Sequence, residues 1–469
     1  MPLTPVRNKG VKGAWPGPSR LRYTACMKRA LPLLLGLTAV GCWPRSPGPV
    51  ASSDAAAPVA VLRVPVDGGD AVTWTATIRA GSSHDPVGQA GLSWLVAEVL
   101  ADQLAATGDV ELHVGAELVD LALTCPGASS AACGDALATT LAHPRFDDAS
   151  LARARAAAHH QLAVATSDPR VLTDAAAAAL VFAGHPYDHL AVGRAGVLDS
   201  LGPGDLQRLH GDRYLRPSVV IGAVGPVADA DVTAVQAALE ALPPRLYRDV
   251  TPRGLPRPPA RDVTLRASVS LDQPANALVT AVDLPPAHPD RVAVDAGLAL
   301  LADALDEVAD ARLWPDPAVL QPAIILDLAP GASPEDARQA IADAIAAGPD
   351  PAVLAAWQAA HAWPPADPVA RVQAQAAARL LGASPPDARR AAAAALDADT
   401  VATALSRWLH PEDLRTITVL GTPTPSGHDG VEGSGDASVD AVDAEPAPAA
   451  HAPGATTQPP ALPAEELLR

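Results

Sequence analysis

Two groups of histidines carry donors that could bind a metal or move a proton. His185-Pro186-Tyr187-Asp188-His189 reads His-x-x-Asp-His, two imidazoles with a carboxylate beside the second. A zinc hydrolase needs three protein ligands, an open position for water and a carboxylate to take the water's proton. Two imidazoles at this spacing reach one ion only if a helix presents them on one face. Gly184 and Pro186 instead predict a turn. His159 and His160 are adjacent, so on a helix they point about 100° apart and do not chelate together. Cys125 and Cys133, eight apart across a Pro-Gly turn, read as a disulfide rather than as zinc ligands.

Those residues must be held by a scaffold of alternating helices and strands. Val72 to Arg79 alternates apolar and polar, the period of a sheet with one wet face. A helix is predicted from Leu92 to Leu104, with Leu92, Leu95, Val96, Val99 and Leu100 as its buried stripe. Trp94 and Glu98 are four apart and share a different face. Strands follow in 110–124, then helices over 131–142, 150–164 and 171–182, the last two separated by the Asp168-Pro169 break. A helix over Pro203–Tyr214 and an apolar strand over Val219–Val224 close a first unit, 58–242. Residues 243–261 are a proline-rich linker. A second unit, 262–423, begins with strands over Val263–Leu271 and Ala277–Leu284. It continues with helices over 289–308, 333–347, 351–363, 366–382, 385–396 and 399–409. It ends, as the first does, in an apolar strand and a glycine, Leu414–Gly421. The fold class is α+β: two homologous halves, each a mostly antiparallel sheet with helices on one face, facing each other as a clamshell. Residues 424–469, rich in Pro, Ala, Gly and Asp, read as a disordered acidic tail.

The 469 residues carry a formal charge of −18, and lysine occurs only at Lys9, Lys12 and Lys28. So acidic a surface repels phosphate backbones, which excludes nucleic acid as a partner. The N-terminus reads as an export signal: Met27-Lys28-Arg29 is basic, and Leu31–Leu37 is apolar but too short to span a bilayer. Ala39-Val40-Gly41-Cys42 resembles a bacterial lipobox, which makes Cys42 the lipidation site and 43–57 a tether. Losing the seven Lys and Arg of residues 1–41 takes the charge from −18 to −25. Residues 1–26, including Cys26, read as an over-extended start. Trp43 after the cysteine favours the outer membrane, so the expected location is the cell envelope, facing periplasm or surface.

The motifs taken in order resemble the pitrilysin, insulin-degrading and mitochondrial processing peptidase family. Bacterial members typically carry a loop of the type G-S-x-x-[DE]-x-P-G-x-x-G-L before a helix with the inverted zinc motif His-x-x-Glu-His. Here the loop is present as Gly81, Ser82, Asp85, Pro86, Gly88, Gly91 and Leu92. The later family motifs appear as HPRF, SDP, GHPY and LGPGDLQRLHGDRYLRPSVVIGAVG, over about 170 residues. The five zinc-motif positions, however, read Trp94, Leu95, Val96, Ala97, Glu98.

The resemblance therefore places Trp94 at the first histidine, Ala97 at the general base and Glu98 at the second histidine. The family's distal glutamate ligand falls near His160 or Gln161, counting back from Asp168-Pro169. Indole offers no lone pair to a metal and a methyl group cannot move a proton. Glu98 and His160 give two ligands at best, so no catalytic residues, no metal site and no cofactor are expected. Trp94 is read as filling the space the metal site vacated, and Glu98 as a solvated or Arg-paired carboxylate. Active members also place an Arg and a Tyr of the second half over the substrate. Arg312 is the candidate for the former, and no tyrosine follows Tyr247. The glycine-rich loop of the non-catalytic mitochondrial subunit is missing as well.

The resemblance implies a lipid-anchored, non-catalytic protein that pairs with a related active peptidase or holds extended peptides at a sheet edge. One alternative is an active zinc endopeptidase with an unorthodox site drawn from His159, His160, His185, His189 and Glu98. Another is a surface lipoprotein with no peptidase partner, whose acidic tail does the binding.

Overall fold

A computed structural model describes residues 57–66, 69–245, 262–271, 273–282, 284, 288–305, 308–314, 322–362, 364–382, 384–422 and 462–463. The lipobox with Cys42, the tether up to residue 56 and most of the linker and tail lie outside these residues.

The first unit runs β1 (Ala60–Val64), β2 (Ala71–Ile78), α1 (Leu92–Leu104), β3 (Asp109–Val114), β4 (Val119–Pro126) and α2 (Ser130–Ala142). It continues through α3 (Asp148–Thr166), α4 (Pro169–Val181), α5 (Ala195–Leu198), α6 (Pro203–Arg213), β5 (Val219–Val224) and α7 (Asp229–Ala238). The second unit runs β6 (Val263–Ser270), β7 (Ala275–Ala281), α8 (Arg291–Leu305), β8 (Ala309–Trp314), β9 (Ala323–Leu328) and α9 (Pro334–Ala347). Then come α10 (Pro351–His361), α11 (Pro368–Leu380), α12 (Pro386–Ala394), α13 (Ala398–Trp408) and β10 (Arg415–Thr422).

Strand order is β1-β5-β2-β4-β3 in the first sheet and β6-β10-β7-β9-β8 in the second, so the two units share one topology. In each, the closing strand lies parallel to the opening strand and every other pair is antiparallel. The α+β organisation in two sheet-and-helix units is as expected. The second sheet gains a sixth member, β11 (Leu462–Pro463), which pairs parallel with β6. These two residues belong to the segment expected to be a disordered tail.

Alternation along β2 explains how both faces of the first sheet are used. Val72, Trp74, Ala76 and Ile78 are buried on one face, where Trp74 Nε1 donates to the Ser130 carbonyl at the start of α2 (3.1 Å). Thr73, Thr75 and Thr77 point the other way. That face is covered by α11, a helix of the second unit. Gly222 on β5 makes the approach possible, since a Cβ there would meet Val372 of α11 at 2.8 Å. The exchange is reciprocal, because α4 of the first unit packs on β7 and β10 of the second. Ala277, Val279, Ala323 and Ile325 join the core of the first unit, while Leu278, Ile324 and Leu326 pack with α8 and α9. The core of the first unit therefore extends onto one face of the second sheet, and a second core lies on its other face.

Ion pairs reinforce the junction. Arg312 on β8 holds Asp327 on β9 (2.7 Å) and Asp174 on α4, and Arg170 on α4 reaches Asp310 and Asp327 (3.4 Å each). A disulfide joins Cys125 at the end of β4 to Cys133 in α2.

Candidate functional site

Helix α1 starts where the polar loop of residues 81–91 turns. Gly91 adopts φ 95°, a left-handed conformation that disfavours any side chain, and a Cβ there would meet the Val192 carbonyl at 2.6 Å. The Asp85 carboxylate caps the helix, accepting from the N–H groups of Gly91 and Ser93 at 2.7 Å each. Burial pushes the Asp85 carboxyl above the usual carboxylate range, against the opposing pull of His189 and these hydrogen bonds.

Trp94, Ala97 and Glu98, the positions that the resemblance aligns with the zinc motif, stand on this well-anchored helix. Ala97 has no exposed surface, so its methyl is enclosed. Trp94 is half-buried and packs against the main core. Glu98 is half-buried too, and among the described residues no hydrogen-bond or ion-pair partner is recorded for it. Burial first, and then the charge of Asp102, raise its carboxyl above the usual range. Asp102, one turn further on, is taken by Arg153 of α3 (2.7 Å). Of the two states expected for Glu98, the arginine that reaches α1 pairs one turn past it, and the half-buried side chain keeps part of its surface in solvent.

Helix α3 does not bring a ligand set to this face. His159 Nε2 donates to Asp199 Oδ1 at 2.8 Å, directing the ring toward the end of α5. Arg155, one turn earlier, donates to the carbonyls of Leu198 and Leu201. His160 and Gln161 are exposed. The His185–His189 segment is a turn following Gly184 (φ 72°). His185 is buried and its Nδ1 accepts from the Tyr187 N–H (3.1 Å), while His189 Nδ1 donates to the Leu190 carbonyl (2.9 Å). Among the described residues, no group of three or more His, Cys, Asp or Glu is placed to hold a metal ion. Arg312, the candidate for a substrate-facing arginine, spends its guanidinium on Asp174 and Asp327.

A buried polar cluster lies nearby that the sequence reading did not single out. Tyr187 O–H donates to Glu117 Oε1, and His84 Nε2 stands 3.8 Å from Glu117 Oε2, all three side chains being enclosed. They come from the loop before α1, the β3–β4 turn and the 185–189 turn, so the cluster fastens three loops together. Gly81, Ser82 and Ser83 N–H groups donate to Glu117, Gly115 and Ala116 carbonyls, binding the same loops through the backbone. The signal in sequence was faint, an isolated Glu117 between apolar residues. Beside it opens a cavity of about 170 Å³ lined by Ser82, His113, Val114, Tyr187, His189 and Trp314. Val114 and Trp314 end β3 and β8, so the two edge strands converge on it. Strand β3 has no strand on its outer side among the described residues. Its exposed residues are Asp109, Glu111 and His113.

No protein-family model matches the chain, and no curated protein matches it by sequence. Solved structures do. An inactive M16 peptidase domain from Pseudomonas fluorescens aligns with a TM-score of 0.66 at 19% identity, over 78% of this chain and 95% of that one. The first half of the periplasmic protease PqqL from Escherichia coli aligns at 0.58 and 12% identity, over 77% and 89%. Pitrilysin aligns at 0.59 and 15% identity, over 76% of this chain but 43% of its own.

Proposed function

We propose that this chain, which has the fold of the M16 peptidases, is a non-catalytic subunit that pairs with a second M16-fold chain and holds extended peptides. The observation that carries the reading is the trio on α1. An indole, a methyl and a lone carboxylate stand where two imidazoles and a proton acceptor are needed to hold and activate a zinc-bound water. The comparison with solved structures supports the pairing. The chain matches 95% of a single inactive domain and 43% of pitrilysin, so the matched part is the size of one half of that peptidase. The open edge of β3, flanked by α1, offers backbone groups to which a peptide adds as a further strand. Anchoring through Cys42 in the cell envelope belongs to the same proposal.

The test is a mixing experiment with a second M16-fold chain that retains His-x-x-Glu-His and is encoded beside this one. The proposal expects a stable complex and faster peptide cleavage in the mixture than by the active chain alone. Two chains that elute separately and cleave no faster together contradict the pairing.

A further inference from the structure

We propose that Trp94 and Glu98 form a subsite for a cationic side chain, so that an extended peptide held along β3 is selected for an arginine or lysine. This rests on the peptide-holding function proposed above and names what that function reads.

A half-buried carboxylate loses part of its hydration, a cost usually recovered from a counter-charge or from hydrogen-bond donors. No such partner of Glu98 is recorded among the described residues. Its neighbour Asp102 adds like charge rather than relief, and is itself taken by Arg153. A cation arriving from outside would supply what the fold does not.

Trp94 supplies the second half of the site. It lies one turn before Glu98 on the same helix face, which puts an indole and a carboxylate side by side. It is half-buried rather than enclosed, unlike Trp74, which has no exposed surface. Trp94 thus packs on the core without being closed off by it. An indole face beside a carboxylate is a pairing that favours guanidinium and ammonium groups over neutral ones. Among the described residues no arginine or lysine is recorded as paired with Glu98.

Position and charge fit the same occupant. Helix α1 packs on β3, the strand with the open edge, and on α3. The exposed Asp109 and Glu111 of β3 lie on the sheet face away from α1, so they add to the general attraction of basic segments by a chain of formal charge −18 and not to the subsite itself.

The experiment measures binding of three blocked ten-residue peptides to the full chain at neutral pH by calorimetry. The peptides share one extended sequence and differ only at a central arginine, citrulline or norleucine. The arginine peptide is expected to bind about tenfold more tightly than the isosteric but neutral citrulline peptide. Glu98→Gln should reduce that preference to about twofold or less and leave citrulline affinity unchanged. Trp94→Leu should reduce it about threefold. A variant that merely misfolds would weaken all three peptides alike, and thermal melts identify it. Equal binding of the three peptides overturns the cationic subsite but leaves peptide holding intact. A preference that survives Glu98→Gln places the selection elsewhere and overturns it too. Failure of every peptide to bind the unmodified chain overturns the peptide-holding function and the subsite with it.

Discussion

Arg312 on β8 pairs with Asp174 on α4, so a guanidinium of the second unit is held by a carboxylate of the first. The same guanidinium holds Asp327 on β9, and Arg170 reaches the same Oδ2 of that carboxylate. Around these charges runs the shared apolar core, with α4 laid on the second sheet and α11 on the first. An arginine fixed in this way ties the two units together.

Removing Arg312 should therefore destabilise the whole chain. Arg312→Ala leaves Asp174 and Asp327 close together with only Arg170 to balance them. Burial already raises the Asp174 carboxyl above the usual range despite Arg312. The expected cost is about 3 kcal/mol, in the range for breaking a largely buried ion pair. Urea unfolding reads it, and the two units should unfold together because the core of the first unit extends onto the second sheet.

The Cys125–Cys133 bridge closes a short loop, eight residues apart in sequence. The double variant Cys125→Ala, Cys133→Ala should lose about 2–3 kcal/mol relative to the oxidised protein, as chain entropy returns to the unfolded state. Denaturant midpoints with and without reductant should show the same difference for the unmodified chain. The double variant should be indifferent to reductant.

Acid should weaken the fold through His210. This ring stacks on Tyr214, and its Nε2–H donates to the Leu141 carbonyl at 2.9 Å. Burial pushes its pKa down to about 4, from an ordinary value of 6.5. Between those values the unfolded chain binds a proton that the folded chain does not. The contribution of His210 is therefore fully present above pH 6.5 and is lost as pH falls toward 4, by roughly 3 kcal/mol in all. Stability measured across that window should fall less steeply for His210→Gln than for the unmodified chain.

Much of this architecture was legible in the sequence, and the exceptions have physical causes. Leu92, Leu95, Val96, Val99 and Leu100 mark α1 at helical spacing, and the structure begins and ends it at Leu92 and Leu104. Strand β8 was missed, although Ala309, Asp310, Ala311 and Arg312 alternate in burial. Its polar residues read as loop because their partners, Asp174 and Asp327, are distant in sequence. Helix α8 is correspondingly expected to reach residue 308, which the structure instead places outside the helix, just before β8; residues 306–307 lie outside the described residues. The isolation of Glu98 could not be read either, since it depends on Arg153 choosing Asp102, one turn away on α1. Nor does spacing alone bring Glu117, His84 and Tyr187 together, because three separate loops converge there.

That convergence gives a further expectation. Tyr187→Phe withdraws the hydroxyl that donates to the enclosed Glu117 side chain. The cost should be about 2 kcal/mol, the usual penalty for leaving a buried polar group short of a donor. Hydrogen exchange should quicken in the β3–β4 turn and in the loop before α1, because both are fastened to this cluster.

The central claim is that α1 presents no zinc-activating set, and metal analysis of the purified full chain tests it most directly. After incubation with zinc and removal of the excess, the account predicts well under about 0.1 zinc per chain, and no chelator-sensitive cleavage of an unfolded peptide. One tightly held zinc per chain, together with cleavage that a chelator abolishes and zinc restores, would contradict it.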